Sequence, residues 1–299
     1  MVKRCGFVAV IGAPNSGKST LVNQLVGTKI SIISPKVQTT RNRILGITIV
    51  KDKQAQVIFI DTPGIFIPKH RFDRAMVNAT WNGVYSADLI ALMIDVKFGL
   101  DSNSQLIIDR LKKNDLRATL VLNKIDLVKR SSLLDLTTII NEIGIFDRVF
   151  MINARAGDGT KDLLDFFAQN LPEEQWHFPE EQISDVPMRQ FASEITREQV
   201  LHQLHQEIPY AIMIKTEHWM ENNDGSVRIN QIIYIQKNNQ KAIILGKAGR
   251  KIRSIGNKAR IELEELLERR VHLFLYVKVR NDWSNDRQYY KELGLDFEA

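Results

Sequence analysis

Residues 12–19 read Gly-Ala-Pro-Asn-Ser-Gly-Lys-Ser, a spacing suited to wrapping phosphates. Gly12 and Gly17 let the backbone of Ala13, Pro14, Asn15 and Ser16 turn so that its N–H groups face the phosphates, and the helix beginning near Lys18 adds its own N-terminal donors. Lys18 can reach β- and γ-phosphates, Ser19 offers a hydroxyl to Mg²⁺, and Thr20 closes the loop beside it. An incidental glycine-rich turn is the competing reading. The apolar β-like run Phe7–Ile11 before the loop and the helical run Lys18–Val26 after it weigh against that.

Two further clusters follow in order. Asp61-Thr62-Pro63-Gly64 ends an apolar strand, so a carboxylate is placed where it can hold Mg²⁺ through water and a glycine amide where it can sense a γ-phosphate. Asn123-Lys124-Ile125-Asp126 ends another. Asp126 can accept from guanine N1–H and the exocyclic amine. Adenine lacks both donors in that place and would leave the carboxylate unpaired, at a cost of about several kcal/mol. The chemistry expected is therefore GTP binding and hydrolysis to GDP, with Mg²⁺ held by Ser19 and Asp61.

These motifs, with Gln38-Thr39-Thr40-Arg41, resemble the translation-factor-related GTPases and, within them, the Era family. The resemblance implies that Thr40 closes over Mg²⁺ and the γ-phosphate, with Thr39 as an alternative ligand. The family's last guanine loop reads close to Ser-Ala-Lys. Here it is Asn153-Ala154-Arg155, so the Ala154 amide is expected at the base carbonyl while Asn153 departs from the pattern. Ras-type enzymes orient the attacking water with a glutamine after this glycine motif. Ile65 stands there and cannot, so intrinsic hydrolysis is expected to be slow. Asn15 resembles the asparagine with which related GTPases hold K⁺ near the phosphates, although a turn-stabilising role fits Asn equally. The candidate catalytic residues are Lys18, Asn15, Thr40 and Gly64.

The elements that must position these groups alternate. Strand-like runs at Phe7–Ile11, Ile44–Ile49, Gln56–Asp61, Leu89–Asp95, Thr119–Asn123 and Val149–Asn153 are separated by helical runs at Ser102–Lys113, Ser131–Ile143 and Thr160–Leu171. Val-, Ile- and Leu-rich strands interleaved with helices predict an α/β P-loop domain with a mostly parallel sheet, over residues 1–172. Two prolines and four acids between Pro172 and Gln182 mark a linker, 173–187.

Residues 188–299 read as a second, α+β domain. A helix is expected over Met188–Gln206, strands over Tyr210–Trp219 and Arg228–Gln236 around the turn Asn222-Asn-Asp-Gly, a helix over Lys258–Arg269 and a last strand over 271–279. Before that helix lies Gly246-Lys247-Ala248-Gly249, a G-x-x-G loop whose small residues let a single-stranded RNA backbone lie close. Alone it is a weak signal. Its place after two strands matches the type II KH order. Lys247, Arg250, Lys251, Arg253, Lys258 and Arg260 fall within 247–260 with no acid among them. The RNA-binding candidates are Gly246, Lys247, Ala248, Gly249, Arg250, Lys251 and Arg253, with Ile232 or Ile243 facing bases. His202, His205, His218 and His272, and the aromatics Trp219, Trp283, Tyr289 and Tyr290, read as surface or packing residues.

Bulk properties constrain rather than decide. The net charge of +6 resolves into 23 basic against 15 acidic residues in 1–172 and 18 against 20 thereafter, so overall basicity does not locate the RNA site. The single cysteine, Cys5, excludes an intramolecular disulfide. No apolar run approaches the roughly 20 residues of a membrane span, and the basic-then-apolar start reads as a first strand rather than a signal peptide.

A GTPase domain followed by a type II KH domain is the Era architecture. The resemblance implies a cytoplasmic monomer that binds small-subunit ribosomal RNA, serves 30S subunit biogenesis and associates peripherally with the inner membrane. Two other readings stand beside it: an RNA-binding scaffold with a structural nucleotide site, and a GTPase of transfer-RNA modification, which the KH-like half disfavours.

Overall fold

The computed structural model describes residues 2–204, 212–281 and 283–299. The chain forms two compact units, one of Met1–Ser31, Thr40–Asp185 and Leu293–Ala299, the other of Ile32–Thr39 and Val186–Glu292.

The first unit is a six-stranded sheet. Its elements are β1 (Arg4–Gly12), α1 (Lys18–Val26), β2 (Ile44–Val50), β3 (Ala55–Asp61), α2 (Arg71–Tyr85), β4 (Leu89–Asp95), α3 (Ser102–Lys113), β5 (Ala118–Asn123), α4 (Arg130–Asn141), β6 (Phe146–Ile152) and α5 (Thr160–Asn170). The strand order is β2-β3-β1-β4-β5-β6, parallel throughout except for antiparallel β2 at one edge. β3 and β5 are buried along their whole length, as a sheet covered on both faces requires. β1, β3, β4 and β5 all deliver their C-terminal ends to the same edge, where Gly12, Asp61, Asp95 and Asn123 lie.

Several elements differ from the expectation. Helix α2 was not foreseen, because Asn78, Asn82 and Gly83 interrupt its pattern. It buries Met76, Val77, Trp81 and Val84, and Asp73 caps it by accepting from the Lys69 and His70 N–H groups at 3.0 Å each. Strand β6 starts at Phe146 rather than Val149. It is an edge strand, and its exposed Asp147, paired with Arg117, and Arg148 hide its apolar alternation.

The acidic stretch expected as a linker is bound to the first unit. His177 and Phe178 N–H groups donate to Gln56 Oε1 at 3.0 Å, and Gln56 Nε2 donates to the Phe178 carbonyl at 2.8 Å. Ile47 N–H donates to the Ile183 carbonyl at 2.9 Å. Trp176 and Phe178 pack on Cys5, Leu45, Ile47, Ile58 and Ile60. The last residues also belong to this unit: Arg71 stacks over Phe297, its guanidinium carbon 4.7 Å from the ring centre.

The second unit has α6 (Met188–Gln203), β7 (Ile212–Glu221), β8 (Val227–Ile235), α7 (Asn238–Leu245), α8 (Arg250–Leu267), β9 (Val271–Val279) and the short α9 (Arg287–Glu292). β7 and β8 pair antiparallel through the expected turn, where Gly225 adopts φ 79°. β9 joins β8 in parallel. Helix α8 begins at Arg250, eight residues before the expected start, and runs through Gly256. The expected start of β7 at Tyr210, the end of α6 at Gln206 and His205 lie outside the described residues. Ile32 is packed among Ala192, Ile195, Leu201, Val227 and Leu263 of this unit's core. Trp283 and Tyr289 meet edge to face at 5.2 Å and are buried with Tyr290, as packing residues. Among the described residues no helix is long and apolar enough to cross a membrane.

Candidate nucleotide and nucleic-acid sites

The phosphate loop needs left-handed backbone, and has it. Asn15 sits at φ 62° and Gly17 at φ 103°. A side chain at Gly17 would lie 2.2 Å from the Asn123 amide, and one at Gly12 would lie 2.4 Å from the Met93 carbonyl, so both positions admit only glycine. Pro14 approaches so closely that a Cβ on Gly64 would meet its backbone at 2.8 Å. The glycine of the Asp61–Gly64 cluster is thus needed to fit against the loop.

Lys18 is buried and folded back, its Nζ donating to the Gly12 and Ala13 carbonyls at 3.2 and 2.9 Å. Burial pulls its ammonium down to about 8, with Asp61 pulling it back up and Lys124 pushing it further down. Asp61 is fully buried and, among the described residues, neither carboxylate oxygen has a hydrogen-bond partner in normal bonding geometry. Burial raises its carboxyl, while the nearby Ser19 and Ser31 hydroxyls and Lys18 draw it down. Ser19 Oγ lies 2.9 Å from Thr40 Oγ1. Two hydroxyls and an orphaned buried carboxylate form a set of hard oxygen donors of the kind Mg²⁺ takes, with phosphates supplying the rest. Thr39 is engaged elsewhere: its hydroxyl donates to the Lys36 carbonyl at 2.6 Å and meets Ser34 Oγ at 2.7 Å.

Thr62 and Pro63 serve the loop's geometry. The Thr62 hydroxyl donates to the Val10 carbonyl at 2.7 Å, and the Pro63 carbonyl accepts from Thr80 at 3.2 Å. Ile65 is wholly buried in the apolar core with Ile11, Ile94 and Val77, and its N–H donates to the Gly12 carbonyl at 3.1 Å.

A cavity of about 520 Å³ is lined by Gly17, Thr20, Asn123, Lys124, Asp126, Leu127 and the loop 153–156. Asn123 joins its two sides, donating to the Ser16 carbonyl at 2.8 Å and accepting from Ala154 N–H at 3.0 Å. Lys124, at φ 66°, gives its Nζ to the Asn15 carbonyl at 2.8 Å and to Asp95 Oδ2 at 2.5 Å, which stretches its stem along the cavity. The Ala154 N–H, expected at the base carbonyl, is given to Asn123. Asn153, a departure from the family pattern, does a defined job: its Oδ1 accepts from Arg155 and Ala156 N–H groups at 3.1 Å each and shapes the turn. Asp95 was missed. An acid closing the apolar run Leu89–Asp95 was its available signal, the same one that marked Asp61.

The G-x-x-G loop of the second unit is strongly bent. Gly246, Ala248 and Gly249 all have positive φ, at 68°, 52° and 72°. Gly249 caps α8, and none of the described residues lies within 4 Å of where its Cβ would be, so its face is open to a neighbouring backbone. A cavity of about 460 Å³ beside it is lined by Gly249, Ile252, Arg253, Gly256, Asn257 and β9 residues 273–275. Arg250 Nε donates to the Lys247 carbonyl at 3.4 Å, while Arg260 is paired with Glu264 at 2.5 Å. Ile232 is buried and does not face outwards; Ile243 is exposed. Phe274, exposed beside the cavity with Arg228 4.8 Å from its ring centre, was missed, although the alternation of 271–279 placed it on the open face.

Comparison with known proteins bears on both sites. A family described as 50S ribosome-binding GTPase matches residues 7–124, and one described as KH domain matches 207–284. The GTPase Era of Brucella suis is 52% identical over 294 residues, 98% of this chain and 94% of the relative. That of Rhizobium meliloti is 53% identical over 98% and 93%. Two crystal structures superpose with a TM-score of 0.92 at 36% identity: Era with MgGDPNP and nucleotides 1506–1542 of 16S ribosomal RNA, covering 98% of this chain and 99% of that one, and an Aquifex aeolicus Era variant with GDP·AlF4⁻, covering 97% and 99%.

Proposed function

The chain belongs to the Era family of GTPases, and from that premise we propose that it is a GTP-timed factor that binds small-subunit ribosomal RNA during 30S biogenesis. The observation that carries this reading is the pairing, on one chain, of a guanine-type cavity closed by Asn123, Lys124 and Asp126 with an open, left-handed Gly246–Gly249 loop.

Ser19, Thr40 and Asp61 would hold Mg²⁺, which when bound neutralises charge on the β- and γ-phosphates. Lys18 exchanges its contacts with the Gly12 and Ala13 carbonyls for phosphate oxygens and keeps its proton there. The Gly64 amide senses the γ-phosphate. Asp126 selects guanine. Asn15, at the rim of the loop, is the residue that would hold K⁺. With Ile65 buried in the core, no side chain from that position orients water, and hydrolysis is slow. GTP orders the Thr40 region and the loop after Gly64, and this alters RNA affinity. On the RNA side, the Gly246–Gly249 backbone lies against the strand while Lys247, Arg250, Lys251 and Arg253 meet phosphates.

The buried Ile65 also favours a second reading, in which the nucleotide is structural and hydrolysis incidental. Crosslinking the GTP-bound chain to total RNA and mapping the sites tests the first reading. Enrichment of the 3′ region of small-subunit RNA supports it, and crosslinks scattered over other RNAs contradict it. Lys18→Ala, compared for hydrolysis and for release from the small subunit, separates the two: equal release with abolished hydrolysis favours the scaffold. The family further implies a cytoplasmic protein with peripheral inner-membrane association, to be checked by fractionation.

A further inference from the structure

Residues Ile32–Thr39 fold with the second unit, held by one face of α6. Ile33 N–H donates to Glu198 Oε1 at 2.7 Å, and the Ile33 carbonyl lies 3.1 Å from His202 Nε2. The Thr39 carbonyl accepts from Arg197 Nη2, and Arg197 is paired in turn with Glu194, its Nε 2.9 Å from Oε1. Positions 194, 197, 198, 201 and 202 fall on one side of a helix by their spacing, and Leu201 shares a core with Ile32.

A guanidinium that is 2% exposed is costly to bury. Burial works against its charge, and Glu194, with Tyr289 and Glu198 adding to it, more than offsets that. Among the described residues its Nη1 has no hydrogen-bond partner, so the side chain's direct bonds are those to Glu194 and to Thr39. The residue bonded to Thr39 is Thr40, whose hydroxyl meets Ser19. Fixing the Thr39 carbonyl fixes one end of the peptide plane from which Thr40 leaves, and so limits where its hydroxyl can go.

We propose that Arg197 is a positioning residue for GTP hydrolysis: by holding the Thr39 carbonyl it sets the approach of Thr40 to the Mg²⁺ and γ-phosphate side of the site. This rests on the role given to Thr40 above. Arg197 acts through the Thr39 carbonyl it holds.

The test uses the full chain in single-turnover hydrolysis across a Mg²⁺ titration, with GDP affinity as reference. Arg197→Gln is expected to slow hydrolysis about tenfold and raise the half-saturating Mg²⁺, with GDP affinity within about twofold. Arg197→Lys should recover part of the loss. Should Arg197→Gln fail to fold, Glu194→Gln, which loosens the guanidinium, is expected to shift both readouts in the same direction. A folded variant with wild-type rate and Mg²⁺ dependence overturns the proposal. Thr40→Ala separates the two levels. If it leaves hydrolysis unchanged, the role of Thr40 fails and this inference with it. If it slows hydrolysis but adding Arg197→Gln slows it tenfold more, Arg197 does not act through Thr40 and this inference alone fails.

Discussion

Asn123 donates its side-chain amide to the Ser16 carbonyl at 2.8 Å, so the guanine motif and the phosphate loop are one hydrogen-bonded piece. The same side chain accepts from Ala154 N–H, tying in the 153–156 loop. The two motifs are therefore joined through buried Asn123, with Lys124 Nζ, which donates to the Asn15 carbonyl at 2.8 Å, as a second link.

Asn123→Ala should weaken GTP and GDP alike. It leaves a buried carbonyl and a buried N–H without their partner, at about 1–3 kcal/mol each. Titration with a fluorescent guanine nucleotide should show a loss of roughly tenfold or more, the same for both nucleotides. Asn123→Asp should do no better, because a carboxylate oxygen would then face the Ser16 carbonyl. A loss confined to GTP would mean that Asn123 acts on the γ-phosphate instead.

The buried pair Lys18 and Asp61 makes stability and binding depend on pH. Lys18 loses its proton near pH 8 in the folded, ligand-free chain, against an ordinary value of 10.5. Between those values the unfolded chain holds more protons, so Lys18 makes stability rise with pH across that window, and below it the burial penalty is felt in full. Asp61 is shifted upwards, so the folded chain holds its proton to higher pH than the unfolded one, and its contribution falls as pH rises through the folded value. Thermal unfolding of the ligand-free chain against Lys18→Met should show the rise between about pH 8 and 10.5 in the parent only. GTP affinity should decline above about pH 8, since phosphates require the charged ammonium.

Ile65→Gln should not create a fast enzyme. The position is wholly enclosed among Ile11, Val77 and Ile94, where an amide has no partner. Urea unfolding should report a loss of about 2–4 kcal/mol. Single-turnover hydrolysis should be no faster than in the parent; a large acceleration would show that the side chain reaches the γ-phosphate side.

The parts of this molecule legible in its sequence are those whose signal is local. The phosphate loop, Asp61 and Asn123–Asp126 each follow an apolar strand directly, and Gly225 and Gly246–Gly249 are turn chemistry written in adjacent residues. What escaped is set by partners far along the chain. Arg197 reads as an ordinary helix-surface arginine until Thr39, 158 residues away, is placed against it. Asp95 matters only because Lys124 reaches it, and the acidic segment 173–185 looks like a spacer until Gln56 accepts from His177 and Phe178. Antiparallel β2 at the sheet edge was likewise invisible, since an Ile-rich run reads alike in either direction.

The central claim is that nucleotide state controls RNA affinity, and equilibrium titration of a small-subunit RNA 3′ fragment tests it most directly. The full chain would be compared without nucleotide, with GDP and with a non-hydrolysable GTP analogue, at several salt concentrations. Affinity with the analogue should differ from that with GDP by about tenfold, a coupling of roughly 1.4 kcal/mol. Arg253→Ala should reduce the salt slope by about 0.7. Equal RNA affinity in all three nucleotide states would contradict the account.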